Sequence, residues 1–272
     1  MENGKSSNGK APLSLTIGWL YPELMSTYGD RGNILVLQKR CFWRGIAVTI
    51  IPITPETEHT ELKSIELLFG GGAQDREQEI VMRDLKGDKG KRVKDMIEQN
   101  IPSLFVCGSP QLMGKFYEPS AGNHIEGLGI FDMETRHPGP LDDRLIGNVV
   151  AKVHWENLDH DSNFDIHNSE LIVGFENHGG RTTLGSGAKP FASVIVGNGN
   201  NGKDGTEGVV YKNAIGCYFH GPLLPKNPHI ADFLIKKALE VKYQNEITLT
   251  PLDDELEYLA HHSIVKKLGV RV

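Results

Sequence analysis

The chain has little cysteine: three residues in 272, at positions 41, 107 and 217. So few and so scattered, they form no disulfide framework, and no two stand at a zinc-ligand spacing such as C-x-x-C. A reducing cytoplasm is the expected compartment. Nor is there an excess of basic charge. A net charge of −6 and a pI near 6.0 argue against binding to nucleic acid or to an anionic membrane. No uninterrupted apolar run reaches the length needed to span a bilayer, so no membrane insertion is expected. The polar, glycine-bearing start, Met1 to Lys10, lacks the apolar centre of a signal or transit peptide and predicts a flexible tail over 1–12. Eleven histidines include no H-E-x-x-H, and His261-His262 falls in a predicted surface helix, so no metal is expected. Internal repeats and inter-domain linkers are also missing, which predicts one domain over 13–272. The 39% of hydrophobic residues is enough for its core.

What is present is an alternation of strand and helix patterns. Leu13 to Leu20 reads as a first strand, Ile34 to Arg44 as a helix and Ile46 to Ile53 as a β-branched strand, the rhythm of a parallel sheet. Asp30 and Asn33, just ahead of the first helix, read as capping residues. Ile65 to Phe69 is a third strand running into Gly70-Gly71-Gly72, where amides can approach a ligand because no side chain intervenes. Helices are expected over 75–84 and 91–100, with the basic run Lys86 to Lys94 as a solvated helix start. Beyond Gly129 four β-rich segments (144–153, 170–178, 192–197 and 208–220) precede helical patterns over 231–243 and 252–268.

The most informative stretch is Ser103-Leu-Phe-Val-Cys-Gly-Ser-Pro-Gln-Leu-Met-Gly114, a buried strand, a turn at Gly108 and a helix that tolerates Pro110 in its first turn. Cys107 stands at the crest, where helix-start amides favour a thiolate, in the layout of a nucleophile elbow. His220 ends a later strand and can face the same sheet edge as a base. A thiolate, a histidine and backbone amides from Gly108 and the glycine loop form an apparatus for acyl transfer through a thioester. One competing motif fails. Gly197 to Lys203 satisfies G-x-x-x-x-G-K, but Asp204 replaces the Ser or Thr that would meet magnesium and a strand follows instead of a helix, so a plain loop is expected there.

Cys107-Gly-x-x-Gln-Leu-x-Gly114 resembles the nucleophile motif of class I glutamine amidotransferases, specifically their cobyric-acid-synthase-like branch. Tyr28-Gly-Asp-Arg-Gly-Asn33, Gly70-Gly-Gly-Ala-Gln-Asp75, Arg144-Leu-Ile-Gly-Asn148, Gly174-Phe-Glu-Asn-His-Gly-Gly-Arg-Thr182 and His220-Gly-Pro-Leu-Leu-Pro-Lys-Asn227 extend the similarity toward the glutaminase subunits of lipid II isoglutaminyl synthases, over about residues 13 to 245. The resemblance implies an α/β, three-layer flavodoxin-like fold with a mostly parallel central sheet, and hydrolysis of L-glutamine to glutamate and ammonia without a cofactor. It implies as partner a MurT-like, ATP-dependent Mur ligase subunit, in a heterodimer, that amidates D-glutamate of the peptidoglycan stem peptide. It assigns Cys107 as nucleophile, His220 as general base, Gly72 and Gly108 to the oxyanion hole, Arg144 to the α-carboxylate of glutamine, and Gln111 and Asn177 to substrate orientation. Many class I members carry a glutamate two residues after the histidine; here Pro222 stands there. That leaves a Cys-His dyad, or an acid from elsewhere such as Glu176. The alternatives are another cysteine hydrolase or a cobyric-acid-type amidotransferase on this scaffold, or a non-catalytic docking subunit.

Overall fold

The computed structural model describes residues 12–139, 141–158 and 170–271; most of the expected tail over 1–12 lies outside them. In chain order the strands are β1 (Ser14–Leu20), β2 (Ala47–Ile53), β3 (Leu67–Gly70), β4 (Ser103–Val106), β5 (Phe116–Glu118), β6 (Ile125–Glu126), β7 (Met133–Arg136), β8 (Leu145–Val153), β9 (Leu171–His178), β10 (Arg181–Leu184), β11 (Ala192–Val196), β12 (Thr206–Glu207), β13 (Val209–Tyr211) and β14 (Ala214–Cys217). The α-helices are α1 (Arg31–Trp43), α2 (Asp75–Leu85), α3 (Asp88–Glu98), α4 (Gly108–Met113), α5 (Pro228–Tyr243) and α6 (Glu255–Lys267).

A six-stranded sheet in the order β13-β14-β4-β3-β1-β2 forms the centre. All its neighbours are parallel except the edge pair β13–β14. The inner strands β3, β4 and β14 are buried along their whole length. Such continuous apolar runs are what a sheet covered on both faces requires. Successive side chains alternate between the two faces. Leu67, Phe69, Leu104 and Val106 enter a core with α1, α5 and the sheet β12-β11-β8-β9. Leu68 and Phe105 enter the opposite core, with α2, α3, α4 and the sheet β10-β7-β5-β6.

Two departures from the sequence pattern follow from size and packing. Strands β5, β6, β7, β10 and β12 lie where no element was expected, because runs of two to four residues are too short to show an alternation. His261 is 2% exposed, with its Nδ1 on the Lys226 carbonyl, so α6 turns one of its two histidines inward.

Parallel pairing places the strand ends together. Gly70 stands opposite both Leu20 and Phe105, and Val106 opposite Cys217. The glycine loop, Cys107 and the segment that carries His220 therefore leave the sheet along one edge, where ligands bind in open α/β sheets.

Candidate active site

Cys107 adopts φ 56° and ψ −97° between β4 and α4. Backbone in this region costs a side chain about 1–3 kcal/mol and persists where the surroundings impose it. They do so here: the Cys107 N–H donates to the Cys217 carbonyl at 2.8 Å, and the Ser109 hydroxyl donates to the Gly71 carbonyl at 2.7 Å. The Ser109-Pro110 pair thus has a local role, since Ser109 ties the elbow to the glycine loop. Helix α4 has only six residues, so its contribution is first-turn amides more than a macrodipole.

His220 is fully buried and is sewn into place by two main-chain hydrogen bonds with Phe175 of β9, at 2.8 and 3.2 Å. Its Nδ1 lies 3.1 Å from Oδ1 of Asp30, which is equally buried. The other carboxylate oxygen of Asp30 accepts the Gly72 N–H at 2.6 Å. Burial would hold the imidazolium down, but the negative charge of Cys107 and the hydrogen bond to Asp30 outweigh it and push the His220 pKa up to about 10. The Tyr28 ring packs edge-on to His220 at 4.9 Å.

These contacts correct three expectations. Asp30 makes no side-chain cap of α1; it backs the histidine, and Asn33 accepts the Leu224 N–H at 2.9 Å instead of capping. Glu176 does not pair with His220 among the described residues: it accepts hydrogen bonds from Asn198 and from the Gly199 N–H, holding the glycine-rich loop between β11 and β12. Gly72 touches the site but spends its N–H on Asp30. A methyl group there would come within 3.0 Å of His220 Cε1 and 3.2 Å of Cys107 Cβ, so glycine is needed for close approach. Pro222, where an acid was sought, packs on Gly32.

Cys107 lies at the base of a cleft of about 720 Å³ whose walls include Tyr28, Gln111, Arg144 and His178. Arg144 is exposed, with Nε on Asn177 Oδ1 at 2.8 Å and one terminal nitrogen on the Asn177 carbonyl at 2.7 Å. Asn177 therefore positions Arg144. Gln111 is engaged at both ends: its carbonyl accepts from Gln78 at 3.0 Å and its amide donates to Tyr218 at 3.1 Å. It braces the wall beneath Cys107. Next to Gly108, the Ala73 nitrogen would lie 2.9 Å from an added methyl group.

Residues 16–228 match the CobB/CobQ-like glutamine amidotransferase domain. The chain belongs to this family. It is 38% identical over 263 residues to the Streptococcus pneumoniae protein named lipid II isoglutaminyl synthase (glutamine-hydrolyzing) subunit GatD, covering 96% of this chain and 95% of that one. The Staphylococcus aureus protein of the same name is 37% identical over 255 residues, covering 93% and 96%. A crystal structure of a glutamine amidotransferase superposes with a TM-score of 0.54 at 12% identity, covering 82% of this amidotransferase chain and 98% of that chain. That likeness shows the shared fold, with its mostly parallel central sheet.

Proposed function

We infer that the chain is the glutaminase subunit of a lipid II isoglutaminyl synthase, hydrolysing L-glutamine to L-glutamate and ammonia. The observation that carries the reading is a cysteine held at positive φ on a strand–helix elbow, beside a buried His220–Asp30 pair, in a chain that matches two GatD subunits nearly end to end.

The chemistry follows from the charges. A His220 pKa near 10 means that the histidine rests as imidazolium at neutral pH, with a proton to donate. The thiolate of Cys107 adds to the γ-carboxamide carbonyl, forming a carbon–sulfur bond and moving the carbonyl electron pair onto oxygen. The N–H groups of Gly108 and Ala73 are the pair available to stabilise that oxyanion, since Gly72 is engaged. As the carbon–nitrogen bond breaks, His220 gives its proton to the departing ammonia. Neutral His220 then takes a proton from water, which attacks the glutamyl thioester and releases glutamate with the thiolate restored. Asp30 holds the imidazole orientation and stabilises its cation through both steps. Arg144, presented by Asn177, binds the α-carboxylate.

Ammonia passes to a MurT-like ligase subunit, which amidates the D-glutamate of the lipid II stem peptide. No helix among the described residues is long and apolar enough to cross a membrane, and Cys41, Cys107 and Cys217 are free, which supports a cytoplasmic site of action. The test is glutamate release from L-glutamine by wild type and Cys107→Ala, each with and without the co-expressed ligase. Cys107-dependent release, raised by the ligase, is expected; release that survives the substitution would refute the assignment.

A further inference from the structure

His178, at the end of β9, is 2% exposed, yet it is among the residues that line the cleft with Cys107 and Arg144. One ring nitrogen is committed: Nδ1–H donates to the Gly180 carbonyl at 2.9 Å. That bond fixes the tautomer and leaves Nε2 as an acceptor. Nε2 has no hydrogen-bond partner among the described residues. The ring cannot turn away, because it stacks on Tyr218 with 3.8 Å between centroids and 17° between planes. Tyr218 is in turn locked by Gln111 and Thr182, at 3.1 and 2.6 Å. Burial, reinforced by the positive charges of Arg181, His220 and Arg144, drives the imidazole pKa down to about 3, so Nε2 keeps its lone pair at every working pH.

A buried, rigid, unsatisfied acceptor costs stability unless something fills it. A ligand donor is the natural occupant on a cleft wall. The position of Arg144 decides which donor. Its guanidinium is anchored on the carbonyl of Asn177, one residue before His178, and a methyl group on Gly179, one residue after, would lie 3.4 Å from Nη1 of Arg144. Arg144 and His178 thus flank the same turn of chain. In an α-amino acid the carboxylate and the ammonium are borne by one carbon, so a carboxylate on Arg144 brings the ammonium to its neighbour. Three carboxylates also line the cleft: Asp75, which accepts the Tyr117 hydroxyl at 2.8 Å, the half-buried Glu77 and the exposed Glu23. The carboxamide at the far end of the substrate is left for Cys107.

We propose that His178 Nε2 accepts a hydrogen bond from the α-ammonium group of the substrate, so that the cleft selects carboxamides bearing a free α-amino group. This rests on the glutaminase reading above. It assigns His178 to substrate specificity, whereas Cys107 and His220 carry the chemistry.

The experiment compares L-glutamine with glutaramate, its analogue lacking the α-amino group, on the full chain co-purified with its ligase subunit. His178→Phe keeps a ring to stack on Tyr218 and removes the acceptor. It should lower kcat/KM for L-glutamine about ten- to hundredfold, mainly through KM, while leaving glutaramate turnover within about twofold. An equal loss on both substrates, or on neither, overturns the proposal. Folding-independent evidence comes from wild type alone, where L-glutamine should protect Cys107 from iodoacetamide at concentrations at least about tenfold lower than glutaramate. Equal protection also overturns it. Wild type that releases glutamate in a Cys107-dependent manner upholds the glutaminase reading whatever His178 does. Absence of such release sinks both.

Discussion

Two buried polar networks show how differently the same residue types are used. On the flank where α1, α5 and α6 meet, Arg40 is 1% exposed and bonds Asp232 through Nε (2.6 Å) and Asp254 through Nη1 (2.5 Å), while Nη2 reaches both at 2.8 Å. Arg44 adds two hydrogen bonds to Asp232 and one to the Thr250 carbonyl, at 2.7 to 2.9 Å. All three Arg40 nitrogens are paired, and the pairing holds its pKa above the usual range even though burial opposes it. At the sheet edge, by contrast, Cys107 beside the His220–Asp30 pair is held on strained backbone, and Nε2 of both His220 and His178 lacks a hydrogen-bond partner among the described residues. A network with every guanidinium nitrogen paired stabilises one conformation. A network with open valences beside a cleft is arranged for a molecule that is not part of the chain.

The contrast can be broken from either side. Cys107→Ala should remove glutaminase turnover by at least about 10⁴-fold while the melting temperature changes little, because alanine keeps the Cβ and removes only one sulfur atom beside the cleft. Asp30→Asn should lower kcat about 10²- to 10⁴-fold with little change in KM, since the imidazolium loses its counter-charge; an unaffected kcat would return Asp30 to a structural role. Arg144→Ala should raise KM for L-glutamine about ten- to a hundredfold with kcat nearly retained, the loss of one charge-assisted contact. A KM equal to wild type would leave Arg144 outside the site.

The flank should respond in stability instead. Arg40→Met leaves two carboxylates short of a partner and should cost about 3 kcal/mol, toward the low end for a buried pair because Asp232 and Asp254 keep 20% and 17% exposure. A fall in melting temperature of about 6–12 °C is expected, with kcat/KM per folded molecule unchanged. If activity falls along with stability, the two networks are coupled and the comparison fails.

The smallest effect concerns Glu207, fully buried behind His220, whose carboxyl is pushed from 4.5 up to about 8 by burial. Between those values the unfolded chain ionises Glu207 and the folded chain does not, so stability falls as pH rises through that window and the penalty is complete above it. Glu207→Gln retains an acceptor for the Tyr218 N–H, now at 2.6 Å. It should raise the melting temperature by on the order of 5 °C at about pH 8 and leave it unchanged near pH 4. A gain of equal size at both pH values would trace the effect to packing.

The elements themselves were largely legible before any coordinates. A buried strand, a glycine and a helical run are contiguous from Ser103 to Gly114, so the elbow could be read from local pattern alone. His220 was visible as the end of an apolar strand segment, and the parallel rhythm implied that such ends gather on one edge. Asp30 was not legible, because its position just before α1 has an ordinary local explanation as a cap and its partner lies 190 residues away. His178 carried no signal beyond its motif, and the engagement of the Gly72 N–H depends on a carboxylate from another part of the chain. Residue types, strand and helix patterns and the elbow that carries Cys107 are therefore local properties, set by neighbours along the chain. Which acid backs the histidine, which amides remain free and which acceptor is left open were decided by tertiary structure alone, since only the closing of parallel strands into one sheet brings those distant groups within hydrogen-bonding distance.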